Sequence, residues 1–321
     1  MANRRYQTGP ISDIEQFVLV GNSSRKGLQK AADELAQFIN EETGLPAYNV
    51  ESGRNVEESI ERLIERDVDD IPSAIVVLGG DGTINHTLEA TRNIENPLVY
   101  SIITDYFGGA RDISYNIRKK TPKKYPQLLE YNLSSLVEAS IFPIEVTINE
   151  QRLLSAYNVI SIGRTALMAE QINKIRPKLH GPRPYKIARE AISIIDAKLL
   201  STVPFKAREH SDPAQAFQNL QDLIFTKSER FGVVFKSHND ILEREFGVFE
   251  MDDLDFRDYA SILLQRRFFP NLVARGDQTI KYTLVGQNLR IQHDGEVSLL
   301  EEENVLDFKN ADKPAKILIS E

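Results

Sequence analysis

A chain of 321 residues, 41% apolar and 27% charged, is long enough to bury the cores of two globular domains. Its net charge of −8 excludes a general nucleic-acid binder, whose footprint is basic, and the lack of cysteine excludes disulfides, thiolate metal sites and thiol nucleophiles. No apolar run approaches the ~20 residues of a membrane-spanning helix, and Met1-Ala2-Asn3-Arg4-Arg5-Tyr6-Gln7 lacks the apolar stretch of a secretory signal, so a cytoplasmic protein is expected.

Along the chain, Phe17-Val18-Leu19-Val20 reads as a short buried strand that ends in the polar turn Asn22-Ser23-Ser24-Arg25-Lys26-Gly27. Apolar residues at helical spacing (Leu28, Ala31, Leu35, Phe38, Ile39) predict a helix over 28–40. A strand over 46–50 and a helix over 56–67 follow. The apolar run Ala74-Ile75-Val76-Val77-Leu78 breaks into Gly79-Gly80-Asp81-Gly82-Thr83 and then a helix over 84–92, with Thr83 as its expected N-cap. A strand over 98–103 leads to a second glycine turn, Phe107-Gly108-Gly109-Ala110-Arg111-Asp112. Strands alternating with helices predict a parallel sheet covered on both faces.

The pattern changes near Ile141. Antiparallel strands are expected over 144–148 and 152–160, around the turn Asn149-Glu150-Gln151. A helix is expected over 184–200, with short strands over 231–235, 246–249, 280–285 and 289–292. The polar segment 208–222 reads as an irregular surface excursion, and 316–319 as a last strand returning to the first domain. The fold class is therefore α/β in two domains: a parallel-sheet domain over 1–143 with 311–321, and a β-rich antiparallel domain over 144–310.

Four segments carry candidate chemistry. A buried strand that breaks into glycines and then opens a helix suits a backbone wrapping phosphate, so Gly79, Gly80, Gly82 and Thr83 are candidate phosphate contacts. Asp81, in the middle of that turn, can meet a metal ion or a hydroxyl proton; the plainer reading is an exposed aspartate in a tight turn. Asp294-Gly295-Glu296 reads either as a simple Asp-Gly hairpin or as the source of a general base, Glu296, opposite Asp81. Asn22, Ser23, Ser24, Arg25 and Lys26 offer hydroxyls, an amide and two cations to nucleotide phosphates, although they form no Walker A loop. Gly108, Gly109 and Arg111 line a further loop that suits the same ligand. The five histidines show no metal-ligand spacing.

Taken in order, these segments resemble the diacylglycerol kinase catalytic-domain family of lipid kinases, over nearly the whole chain. Gly79 to Thr83 matches its GGDGT signature, continued by Ile84-Asn85. Asn22 to Gly27 looks like a degenerate form of its first nucleotide loop. Ala156 to Gly163 and the basic segment 178–188 around Tyr185 are similar to its middle elements, and Asp294-Gly295-Glu296 to its late DGE element. NAD kinases share GGDGT, but the ordered set with DGE is closer to the lipid kinases. The resemblance implies an active site in the interdomain cleft and ATP-dependent, Mg²⁺-dependent phosphorylation of a lipid hydroxyl, diacylglycerol being the nearest model. It implies Glu296 as base and Asp81 as phosphate or metal organiser, with Asp81 and Asp294 as candidate metal ligands. It also implies a lipid or small-molecule acceptor, transient contact with a membrane surface and no nucleic acid, and it leaves a homodimer open. The run Lys119-Lys120-Thr121-Pro122-Lys123-Lys124 is the local basic patch such contact would use.

The chain departs from the family pattern at Ser23, His86, Gly109 and Arg111, and Asp252-Asp253 is the nearest counterpart of the family's metal-associated Asp-Gly. Those departures keep two alternatives in view: a nucleotide- or lipid-binding member without turnover, and a kinase of a soluble acceptor such as NAD.

Overall fold

The computed structural model describes residues 13–21, 27–50, 70–103, 112–117, 136–148, 151–175, 204–210, 216–231, 235–236, 239–252, 273–275 and 279–320. The chain divides into two compact units, residues 1–142 with 312–321, and residues 143–311.

In the first unit, β1 (Gln16–Gly21) leads to α1 (Leu28–Thr43), β2 (Ala47–Val50), β3 (Ser73–Leu78), α2 (Asp81–Asn93), β4 (Val99–Ile103), the short α3 (Asp112–Ile117) and β5 (Leu136–Ile141). The last strand of the chain, β20 (Ala315–Ser320), completes the sheet in the order β2-β1-β3-β4-β20-β5. Every pairing from β2 to β20 is parallel; β20 and β5 are antiparallel. The central strands are buried at every position because both faces are covered. Phe17, Leu19, Ala74, Val76 and Leu78 pack with Leu28, Ala32, Leu35 and Ile39 of α1. The alternate residues Val18, Val20 and Ile75 form a second cluster with Ile94 and Val99.

The second unit opens with β6 (Ile144–Ile148), β7 (Gln151–Ala156), β8 (Val159–Gly163) and α4 (Arg164–Ile175). It continues through β9 (Phe205–Glu209), β10 (Gln218–Leu220), β11 (Asp222–Thr226), β12 (Arg230–Phe231), β13 (Phe235–Lys236) and β14 (Phe246–Met251). It closes with β15 (Val273–Arg275), β16 (Ile280–Val285), β17 (Arg290–His293), β18 (Glu296–Leu299) and β19 (Glu303–Asn310). Two antiparallel sheets result, β10-β9-β16-β19-β6-β7 and β15-β14-β11-β8-β17-β18, with β12 and β13 as a separate hairpin. One apolar core draws on both sheets. At its centre Phe225 of β11 stacks on Phe308 of β19 with centroids 3.7 Å apart, and Tyr282 meets both rings edge-on.

The structure corrects several sequence expectations. The helix after the glycine turn starts at Asp81, not Ile84, because the Ile84 N–H already donates to Gly80 O at 3.0 Å. The residue at its N-cap is Gly80, and Thr83 lies inside the first turn. The single strand expected over 152–160 is two strands in different sheets, broken at Tyr157 and Asn158. Segment 208–222 is not one irregular excursion: β9 and β10 pair at its two ends, and β11 begins at Asp222. The strand expected over 231–235 is represented by the facing ends of β12 and β13. Helix α4 was not anticipated. The expected helices over 56–67 and 184–200, Tyr185 and the basic run 119–124 lie outside the described residues. Among the described residues no helix is long and apolar enough to cross a membrane.

Candidate functional site

The parallel sheet of the first unit brings the ends of three strands, β1, β3 and β4, to one edge. Strand β2 lies on one side of β1, while β3 and β4 lie on the other, so the strand order reverses between β1 and β3. Ligands of open α/β sheets bind outside the carboxyl ends of strands at such a switch point. Gly21, the last residue of β1, pairs with Leu78, the last of β3, and Val77 pairs with Ile103, the last of β4. The loops that leave these three ends begin at residues 22, 79 and 104. They carry all the candidates of the first unit. Asn22, Ser23, Ser24, Arg25, Lys26, Gly108, Gly109 and Arg111 themselves lie outside the described residues.

The glycine turn is shaped by its own packing. A Cβ on Gly79 would sit 2.4 Å from Thr83 Cβ and 2.6 Å from Thr83 Oγ1. Thr83 is buried against the turn, so position 79 has no room for a side chain. Gly82 differs: among the described residues nothing lies within 4 Å of the Cβ it lacks, and it is exposed. The open space there adjoins the first turn of α2, where the Gly82 and Thr83 N–H groups have no acceptor within the helix. A 13-residue helix presents partial positive charge at that end. The turn therefore fits a phosphate group, and a side chain at position 82 would fill the space it needs.

Asp81 is the first residue of the same helix. It is 7% exposed, and its two carboxylate oxygens accept hydrogen bonds from the Asp112 N–H at 2.9 Å and the Ile113 N–H at 3.1 Å. One signature carboxylate thus caps α3 and ties its first two residues to the glycine turn. Four residues along α2, Asn85 is buried, and its Oδ1 has no hydrogen-bond partner among the described residues.

In the second unit, Asp294 and Gly295 form a two-residue hairpin loop between β17 and β18, with φ of 45° and 101°. Positive φ at both positions is the primed-turn geometry that Asp-Gly favours. The Asp294 carboxylate accepts N–H bonds from Tyr157 (2.7 Å), Asn158 (3.1 Å) and Val159 (2.9 Å), at the break between β7 and β8. Glu296 opens β18 with its side chain 54% exposed, and Oε2 lies 3.6 Å from Nε2 of His293, its partner across the hairpin. Asn158 is buried, with Oδ1 unpartnered among the described residues. Helix α4 braces the hairpin: Asn173 Nδ2 donates to Gly295 O at 2.7 Å, and Arg290 pairs with Glu170. Burial pushes the Glu170 carboxyl up, but the hydrogen bonds and charges of Lys174 and Arg290 outweigh it and hold Glu170 below the usual carboxylate range.

The two candidate metal ligands are therefore both engaged by backbone N–H groups. Among the described residues no cluster of three or more histidines and carboxylates is arranged for a metal ion. Asp252 is exposed, and Asp253 lies outside the described residues. Sequence reasoning left Asn85 and Asn158 out of the site. The available signal was chemical: an amide in the first turns of a helix after a glycine loop, and another interrupting an apolar strand run.

No protein-family model matches the chain, and no curated protein is similar to it in sequence. Its fold, however, is that of diacylglycerol kinases and NAD kinases. It is similar to a "putative diacylglycerol kinase" from Bacillus anthracis strain Sterne at 14% identity and a TM-score of 0.67, covering 96% of this chain and 98% of that one. A second structure, of a diacylglycerol kinase from the same strain, matches at 12% identity and a TM-score of 0.61 over 95% and 97% of the two chains. Yeast NADH kinase matches at 11% identity and a TM-score of 0.56, over 100% and 88%.

Proposed function

We propose that the protein is an ATP-dependent kinase that transfers the γ-phosphoryl group to a lipid hydroxyl, diacylglycerol being the nearest model. The observation that carries this reading is that three adjacent parallel strands, β1, β3 and β4, end at one edge of the sheet, each followed in sequence by a glycine-bearing segment. Such an edge suits a nucleotide triphosphate. The Gly82 and Thr83 N–H groups bind phosphate oxygens, and Asn22, Ser23, Ser24, Arg25, Lys26, Gly108, Gly109 and Arg111 complete the nucleotide contacts. Asn85 gives a buried acceptor to a nucleotide donor.

Phosphoryl transfer asks a protein for positioning and charge stabilisation more than for covalent chemistry. In this reading Glu296 takes the proton of the attacking hydroxyl, as a solvent-reachable carboxylate can. Asp81 acts as organiser of the phosphate turn, which its carboxylate joins to the first residues of α3. Asp81 accepts two backbone N–H groups and Asp294 three, which leaves each carboxylate acceptor capacity toward Mg²⁺. Mg²⁺ supplied with the nucleotide would offset phosphate charge.

The lipid reading is favoured over an NAD kinase by the Asp294-Gly295-Glu296 hairpin and by the better structural agreement with the Bacillus anthracis proteins. The test is transfer of labelled γ-phosphate, with Mg²⁺ present, to diacylglycerol in mixed micelles, to a total lipid extract and to NAD. Labelled lipid is the expected product. Label in NAD alone would replace the lipid reading, and nucleotide binding without transfer to any acceptor would replace both with a non-catalytic binder.

A further inference from the structure

We infer that Asp294 is the positioning residue for Glu296: its carboxylate pins the DGE hairpin to the Tyr157–Val159 backbone and so fixes where the base stands. The inference rests on the kinase reading above for the role of Glu296, but the anchor itself rests on geometry. Among the described residues, strand β18 is an edge strand whose one neighbour in the sheet is β17. Residues at the tip of such a hairpin fray unless something holds them. Asp294 supplies four contacts at once. Its N–H donates to Val159 O at 3.0 Å, and its carboxylate receives the N–H groups of Tyr157, Asn158 and Val159 at 2.7, 3.1 and 2.9 Å.

The arrangement is reciprocal. Three successive N–H groups at a strand break lose their ladder partners, and one carboxylate satisfies them all. Buried backbone donors need such a partner, and bonds to an ionised acceptor are about twice as strong as neutral ones. The break between β7 and β8 and the position of Glu296 are thus set by the same side chain, two residues before the base. The type of residue follows as well. The site requires an anion that tolerates φ of 45°, and aspartate meets both conditions.

Asp294→Asn is the variant of choice, because asparagine also accepts positive φ while its amide turns a donor toward donors. In the full-length protein, hydrogen exchange at the Tyr157, Asn158 and Val159 amides should quicken by roughly tenfold or more. In the transfer assay kcat should fall by about tenfold or more with the KM for ATP unchanged, and the pH profile should keep its limbs because Glu296 is still the base. Unchanged exchange at those three amides overturns the anchor. Recovery of kcat on raising Mg²⁺ overturns it too, by making Asp294 a metal ligand. If the wild-type protein transfers no phosphoryl group, the kinase reading falls by itself and the exchange measurement still decides the anchor.

Discussion

Asp81→Ala is the most informative perturbation of the first unit. The wild-type carboxylate accepts two N–H bonds, from Asp112 and Ile113, in a buried setting. Hydrogen bonds to charged groups contribute about 1.5–3 kcal/mol each, and a buried donor left without a partner costs about 1–3 kcal/mol. Alanine removes both acceptors at once. The two losses share one side chain and do not add in full, and water reaches part of the vacated space, so a destabilisation of about 2–4 kcal/mol is expected. Asp81→Asn keeps one acceptor and should cost about 1–2 kcal/mol. Thermal denaturation reads this directly, because 1 kcal/mol shifts Tm by about 2–4 °C for chains of about 150–250 residues. Hydrogen exchange at the Asp112 and Ile113 amides locates the effect. If Asp81→Ala melts with the wild type and both amides keep their protection, the carboxylate does not clamp α3. Loss of transfer with unchanged stability would then return Asp81 to direct catalysis.

Other expectations follow from the same structure. Gly79→Ala places a methyl 2.4 Å from Thr83 Cβ, so it should destabilise by about 1–3 kcal/mol; a Tm equal to wild type would refute the packing account of that glycine. Glu170 has a folded-state pKa below its unfolded value, so its stabilisation is present above the unfolded pKa and is lost as pH falls through the folded one. Glu170→Gln should therefore flatten the acid limb of a stability–pH curve, and an unaltered limb would count against the Arg290 and Lys174 contacts. Tyr100 is raised to about 12, by burial first and then by Glu138. The unfolded chain loses this proton near pH 10 and the folded one near 12, so stability should fall across that window. Tyr100→Phe should remove that part of the decline; a wild-type decline in the variant would refute it.

The α/β half of the molecule was legible because parallel strands buried on both faces read as continuous apolar runs. Ala74 to Leu78 is such a run, and the glycines after it end it sharply. The β-rich half was less legible. The run from Arg152 to Ile160 is uniformly strand-like, and its break at Tyr157 is held by Asp294, 137 residues away in sequence. A local pattern cannot register a partner at that distance. Helix α4 was missed for a related reason: its N-terminus is held by Asp222, whose Oδ1 accepts the Thr165 N–H at 2.6 Å, rather than by a neighbouring capping residue. For the candidate site, the signature positions were visible but their hydrogen-bond partners were not. Asp81 and Asp294 read as catalytic or metal-binding carboxylates, and the structure adds that both accept backbone amides of segments distant in sequence. Glu296, whose motif also fits a plain hairpin, is the signature carboxylate that reaches solvent.

The central claim is that Glu296 is the base of a phosphoryl transfer to a lipid hydroxyl. Its side chain is half-exposed on an edge strand, so Glu296→Gln should alter stability by no more than about 0.5 kcal/mol, as surface changes do. The decisive measurement is transfer of labelled phosphate from ATP to diacylglycerol by the wild type and by Glu296→Gln, with the Tm of each recorded. The account predicts labelled lipid from the wild type, a loss of about 10²–10⁴-fold in the variant and nearly equal Tm values. Equal transfer by the two proteins, or none by the wild type to any lipid alcohol, would contradict it.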